Sequence, residues 1–211
     1  MKDIQKEIWN KAAYNKEFTT PLNKELCVRN INKEAEILDI GCGYGRTINE
    51  LQNLGYTHVQ GIDFSKKMIE RAKQLYPKIN VSVQKEKTID FADNSLDAVL
   101  IFAVLTCITK DEEQDFLLQE AKRILRPGGI IYINDFLINQ DERNCQRYET
   151  YYKKYNTYGI FELTDGLCLR HHSIERVKKC TLPFNCIHFE TTSFPTMNGN
   201  YSNAYIFIGK K

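Results

Sequence analysis

The sequence predicts an α/β protein built on an open, doubly wound, mostly parallel sheet of seven strands, with helices on both faces. Three observations predict it. Between residues 36 and 135, short apolar runs alternate four times with stretches of helical periodicity, which parallel crossovers require. The run Leu96–Phe102 is nearly continuously apolar, as suits a strand buried on both faces. Glycines 41, 43 and 45 follow the first run directly, where a strand must turn into a helix.

The elements follow in order. Ile4, Ile8, Trp9, Ala12 and Ala13 share one helical face. Pro21 interrupts that pattern, and residues 22–30 read as a second helix. Residues 36–40 form the first strand. Residues 46–54 form a helix ended by Gly55. Residues 58–62 are the second strand, leading into Asp63. Ser65 caps a helix carrying Met68, Ile69, Ala72 and Leu75, and Pro77 stops it. Residues 79–83 are the third strand and Leu96–Phe102 the fourth. Residues 111–125 carry Phe116, Leu117, Ala121, Ile124 and Leu125 at helical spacing; Arg-Pro-Gly-Gly at 126–129 then gives way to a fifth strand over 130–135. Residues 139–158 read as helical. Residues 186–192 and 204–208 read as two strands with no helix between them, so the antiparallel direction is expected at the sheet edge.

Composition narrows the function. At 42% hydrophobic, a chain of 211 residues can bury a core holding roughly 70% of its unfolded surface. Lys and Arg number 29 against 27 acids, a net charge of +2, which gives no electrostatic reason to expect a nucleic-acid partner. Seven cysteines contain no Cys-x-x-Cys and lack zinc-type spacing, as in a reduced protein without a metal site. The first residues hold no apolar signal region, and the longest apolar run, 98–108, is too short to span a bilayer. A cytoplasmic protein with no membrane attachment is expected.

Ligands of open parallel sheets bind beyond the carboxyl ends of the strands, where strand order reverses. The glycines after the first strand allow close approach of a ligand, and the following helix directs free N–H groups towards it. Asp63 ends the second strand, 22 residues after Gly41, and an ionised acid there accepts hydrogen bonds from ribose hydroxyls. Two details separate this pattern from a dinucleotide site. That fingerprint needs a glycine at position 46, which holds Arg46. Asp39, two residues before the first glycine, suits a cationic ligand bearing an ammonium and a sulfonium. No Gly-Lys-Ser/Thr follows, so a P-loop is excluded.

Residues 37–46, Ile-Leu-Asp-Ile-Gly-Cys-Gly-Tyr-Gly-Arg, resemble the first motif of class I S-adenosylmethionine-dependent methyltransferases. Residues 61–65 with Met68 and Ile69 resemble the second; residues 91–97 resemble the approach to the family's fourth strand, and 121–129 the helix and turn before its fifth. The resemblance is nearest to the small-molecule branch that includes ubiquinone/menaquinone-type enzymes. It implies a Rossmann-like domain over residues 1–211, with an N-terminal helical lid (1–30), a cofactor-binding half (35–136) and a substrate-side half with closing strands (137–211). It also implies S-adenosylmethionine as cofactor and S-adenosylhomocysteine as product. Gly41 and Gly43 would pass under the methionine portion, Asp39 would support the loop or meet the amino group through water, and Cys42 and Arg46 would belong to the same cofactor-binding set. Asp63 would hold the ribose, Phe64 and Met68 would flank the adenine, and Phe102 would contribute backbone. The family's usual acid after the third strand is replaced by Lys85, with Glu86 next, so the adenine contact falls to Glu86 or to backbone. Tyr14, in the N-terminal segment, would close the site.

Methyl transfer from a sulfonium is an in-line displacement with a neutral leaving group, so alignment and water exclusion dominate. A base is needed only where the acceptor must lose a proton. His171 and His172 are the candidates. Adjacent strand residues point to opposite faces, so one of them faces a pocket, with a structural pair as the alternative. His58 and His188 lie far off in sequence, with no metal-ligand spacing. Substrate-side candidates are Arg170, Asn198 in the turn at 196–200, and Tyr152 within the helical stripe Tyr148, Tyr151, Tyr152 and Tyr155. The acceptor is expected to be a small molecule. A non-catalytic S-adenosylmethionine-binding protein and an NAD-dependent oxidoreductase are the competing readings; Asp39 and Arg46 oppose the latter.

Overall fold

The structure is a computed structural model that describes residues 2–85 and 87–211, so Glu86 lies outside the described residues, as does the side chain of Ile4. Helices α1 (Lys2–Ala12) and α2 (Lys24–Asn30) precede β1 (Ile37–Ile40), α3 (Arg46–Asn53), β2 (Val59–Asp63), α4 (Lys66–Leu75), β3 (Asn80–Val83) and β4 (Leu96–Phe102). Then come α5 (Asp111–Ile124), β5 (Leu125–Phe136), α6 (Glu142–Tyr155), the short strands β6 (Ile160–Glu162) and β7 (Cys168–Arg170), α7 (Ile174–Thr181), β8 (Asn185–Pro195) and β9 (Tyr201–Lys210). Seven strands make one sheet in the order β3-β2-β1-β4-β5-β9-β8. Strands β1 to β5 pair in parallel, and β9 runs antiparallel to both of its neighbours, leaving β8 outermost.

Period-two alternation assigns the side chains to two cores. Ile37, Ala98, Leu100 and Phe102 join Leu26 and Cys27 of α2, Ile48 and Leu51 of α3, and Ile69 and Ala72 of α4 on one face. Leu38, Ile40, Val99 and Ile101 join Leu117, Leu118, Ala121 and Ile124 of α5 and Val177 and Cys180 of α7 on the other. All four β1 residues are buried, so each apolar side chain there contributes on the order of 1.5–3 kcal/mol. Asp39 is the exception in that strand, and its neighbours in register are Gly61 of β2 and Leu100 of β4. Strand order reverses between β1 and β4, so Asp39 lies at the switch point.

Predicted and observed elements agree through β4, with ends shifting by a residue or two. Strand β5 begins earlier than expected, at Leu125. It pairs there with Leu96 before the register shifts across the Pro-Gly-Gly turn. Helix α7 and the β6–β7 hairpin are additions. The signal for α7 is present: Ser173 accepts from the Arg176 N–H at 3.1 Å, Glu175 occupies the first turn, and Lys178 and Lys179 the last. Strand-like reading of residues 169–173 hid it.

Gly61 fits the first β–α turn against the sheet. A Cβ there would lie 2.4 Å from Ile48 Cδ1 and 2.7 Å from Cys42 Sγ. Gly61→Ala should therefore lower unfolding free energy by about 1–3 kcal/mol, read from urea denaturation; an unshifted midpoint would contradict the packing.

Candidate cofactor site and the adjoining cavity

The glycine loop is built by backbone conformation. Gly41, Gly43 and Gly45 have φ of 70°, 53° and 81°, angles that non-glycine residues rarely adopt. Ile62 C=O accepts from the N–H groups of Gly41 (2.8 Å) and Cys42 (3.1 Å), which ties the loop to β2. Asp63 completes the tie. Its Oδ2 accepts from Gly43 N–H at 2.9 Å and its Oδ1 from Ser65 N–H at 2.7 Å. Each oxygen keeps a further lone pair for an outside donor. Burial raises the Asp63 carboxyl to about 6, against the lowering by the Ser65 and Gly43 N–H groups.

Asp39 differs in having no such partner. It is 2% exposed, lines the cavity beyond the strand ends, and receives no hydrogen bond from any described residue. Desolvation raises its carboxyl to about 8, only partly opposed by Arg46. A buried acceptor without a donor is costly. A ligand ammonium would supply both the donors and the compensating charge.

The cavity holds about 1100 Å³, above the roughly 300–1,000 Å³ usual for one small ligand. Asp39, Gly41, Cys42, Arg46, Asp63, Phe64, Met68, Lys85, Phe102, His171 and Asn198 all line it. Gly43 is instead capped by Phe18, whose Cε2 would lie 2.1 Å from a Cβ at that position. Phe18 stacks on Tyr44 with centroids 4.9 Å apart, and its N–H donates to the Tyr44 hydroxyl at 3.0 Å. Arg71 donates to Lys16 C=O at 2.7 Å and sits 4.1 Å above the Tyr44 ring, while Arg46 donates to Thr20 C=O. These bonds fasten residues 16–20 over the glycine loop. The signal for them in the sequence was weak, because it lay in pairs some 26–55 residues apart.

Several expected site residues lie elsewhere. Tyr14 is 75% exposed and does not line the cavity, since Ala12 and Ala13 take the buried side of that turn. Phe18 holds the covering position instead. Tyr152 borders a shallow surface depression with Glu149, Lys153 and Tyr158. Arg170 turns its guanidinium to Thr109 C=O at 2.9 Å and to Asp111, so it braces α5 rather than facing a ligand. His172 is also a brace. Its Nδ1 lies 3.1 Å from Phe136 C=O and its Nε2 2.8 Å from Gln114 Nε2, so both ring nitrogens are committed. Desolvation pushes it down to about 3. His172 is thereby removed as a base.

His171 does face the cavity. Asn139 Oδ1 accepts from Asn203 N–H at 2.7 Å, which directs Asn139 Nδ2 at His171 Nδ1, 3.1 Å away. The Tyr148 hydroxyl is 2.6 Å from the same nitrogen. The Tyr148 hydroxyl proton has Nδ1 as its acceptor, which favours the tautomer with the ring proton on Nε2. Burial and then Arg147 hold the ring well below its usual range, so it is neutral. In this tautomer His171 offers a donor to the cavity, not the base expected from sequence. Asp135, unremarked in the sequence, accepts from Thr106 N–H at 3.2 Å and Phe136 N–H at 2.7 Å. It thereby fixes the cavity-lining segment after β4, where Ala103 has φ of 53°.

The fold is Rossmann-like, an open and mostly parallel sheet with its cavity at the switch point. Residues 38–133 match the family described as a methyltransferase domain. The chain is similar to an O-methyltransferase of Aspergillus sclerotiorum, 34% identical over 109 residues, covering 49% of this chain and 40% of that protein. It is also similar to a 2-phytyl-1,4-naphtoquinone methyltransferase of a Nostoc species, 33% identical over 138 residues, covering 62% of this chain and 57% of that protein. The chain thus spans about half the length of these curated relatives. A solved SAM-dependent methyltransferase of Methanosarcina mazei shares the fold with a TM-score of 0.83 at 24% identity, over 88% of this chain and 96% of that one. Residues 38–133 are thus similar to a methyltransferase domain, and the chain shares the fold of a solved SAM-dependent methyltransferase.

The raised Asp39 carboxyl has a signed consequence. Its folded pKa of about 8 exceeds the unfolded value, roughly 3.9. The folded state then binds more protons between those values, and stability falls as pH rises. Between pH 7.5 and 8.5 the histidines are largely neutral in both states, folded because burial lowers His171 and His172 and unfolded because the free value is roughly 6.5, so they hardly oppose this. The melting temperature of the ligand-free protein should fall across that interval. Asp39→Asn should flatten the slope and raise the melting temperature at pH 8.5. An identical slope in the variant would contradict the assignment.

Proposed function

We propose that the protein transfers a methyl group from S-adenosylmethionine to a small-molecule acceptor. The observation that carries this reading is the donorless Asp39 carboxylate at the sheet's switch point, within the cavity and beside Gly41. When bound, S-adenosylmethionine supplies an electrophilic methyl on a sulfonium that departs as a neutral thioether. Asp39 would hold the ammonium, directly or through water, and Asp63 the ribose hydroxyls through its free lone pairs. Phe64 and Met68 would flank the adenine, with Lys85 near its edge, and the backbone after Phe102 would meet the methionyl end. Phe18 and the N-terminal segment exclude water from the loop, acting as the lid, which strengthens these electrostatic contacts.

The relatives' names, an O-methyltransferase and a naphthoquinone methyltransferase, support a small organic acceptor. So does a cavity larger than the cofactor alone would require. No described helix is long and apolar enough to cross a membrane, and the seven free thiols support a reducing, cytoplasmic setting.

Calorimetry with S-adenosylhomocysteine tests the site. Asp63→Ala should weaken binding at least tenfold, since a charged hydrogen-bonding partner contributes about 1.5–3 kcal/mol; unchanged affinity would remove the ribose assignment. Release of S-adenosylhomocysteine with members of a metabolite panel tests turnover. Binding of the cofactor with no turnover on any acceptor would favour a non-catalytic binder, and tight NAD binding an oxidoreductase.

A further inference from the structure

On the substrate side of the cavity, two polar donors stand against an aromatic wall with no carboxylate acceptor among the described residues; Arg147 has only the Tyr148 side chain as a hydrogen-bond partner among them. Arg147, on α6, lies with its guanidinium carbon 3.5 Å from the Phe161 ring centroid. It forms no salt bridge with a described carboxylate, and its Nε is buried without a partner. Its neighbours are the Tyr148 ring, 5.7 Å away, and at longer range Asp141, which already accepts from Asn144. The second donor is the Nε2–H of His171, in the tautomer that the Tyr148 hydroxyl at Nδ1 favours. Phe161 joins the two: its ring centroid is 4.9 Å from that of His171. Phe136 lies against the other side of His171 at 5.7 Å. All four side chains line the cavity.

This arrangement has a chemical complement. A guanidinium stacked on an aromatic face keeps its N–H edge free for a planar oxyanion. A neutral imidazole N–H adds a donor without adding a charge. The rings offer apolar surface to a planar body.

Resting on the methyltransferase reading, we propose that the acceptor is an apolar, preferably aromatic, carboxylate, anchored by Arg147 and His171 Nε2–H with its body against Phe136 and Phe161. Arg147 is then a specificity-determining residue and His171 a positioning donor. This accounts for a cation kept within a largely apolar wall. It also explains why His171 is tied through Nδ1 to two partners rather than left to titrate.

The test is calorimetric titration of the full chain, with and without saturating S-adenosylhomocysteine, using benzoate, 1-naphthoate and decanoate, each paired with its primary amide. At least one acid should bind, and its amide at least tenfold more weakly. Arg147→Met should lose at least tenfold for that acid while S-adenosylhomocysteine affinity stays within twofold, and Arg147→Lys should recover part of the loss. Binding by none of the three acids, acid and amide binding alike, or Arg147→Met matching the wild type would overturn the proposal. The acid–amide comparison on the unmodified protein stands even if a variant misfolds. Failure of S-adenosylhomocysteine to bind the wild type would instead strike the cofactor reading, and the two failures are read from separate titrations.

Discussion

An acid buried in an inner strand at the sheet's switch point, with no donor among the described residues, is the constraint around which this molecule is arranged. Asp39 occupies a position that alternation assigns to the core, between Ile37 and the loop, and every neighbour in register is apolar or glycine. Burial raises its carboxyl, Arg46 opposes that rise and the Asp63 charge adds to it. Burying an acid in this way is costly unless a donor or a compensating charge reaches it.

The surrounding structure holds that crevice in shape. Asp63 spends one lone pair of each oxygen on the loop and the cap of α4, so one residue both ties the wall together and lines the cavity. Asp135 does related work from the far side of the switch point, through the backbone after β4. Arg71, Tyr44 and Arg46 then fasten the N-terminal segment across the top. The three carboxylates are all raised by burial; backbone N–H groups oppose the rise at Asp63 and Asp135 but not at Asp39.

Legibility in the sequence followed the range of the forces involved. Strands, crossover helices and the glycine loop depend on local periodicity and on spacing within one β–α unit, and these were readable down to Asp39 and Asp63. The residue that covers the glycine loop was not. Tyr14 and Phe18 are equally aromatic in sequence, and only the pairing of Phe18 with Tyr44 and Gly43 separates them. The histidine pair shows the same limit. Alternation correctly required that only one face the cavity. That His171 would present a donor depended on Asn139, Tyr148 and Asn203, which chain folding brings together from 23–32 residues away or more. Arg147 went unnoticed because in sequence it is one more charge on a helix dominated by tyrosines, and its neighbour Phe161 belongs to a hairpin that periodicity did not reveal.

A crystal structure of the protein with S-adenosylhomocysteine tests the central claim most directly. The account places the homocysteine ammonium at Asp39, in direct contact or through one water, with the ribose hydroxyls on Asp63 and the loop glycines beneath. Density showing the nucleoside outside this crevice, or its ammonium turned away with Asp39 still lacking a donor, would contradict it.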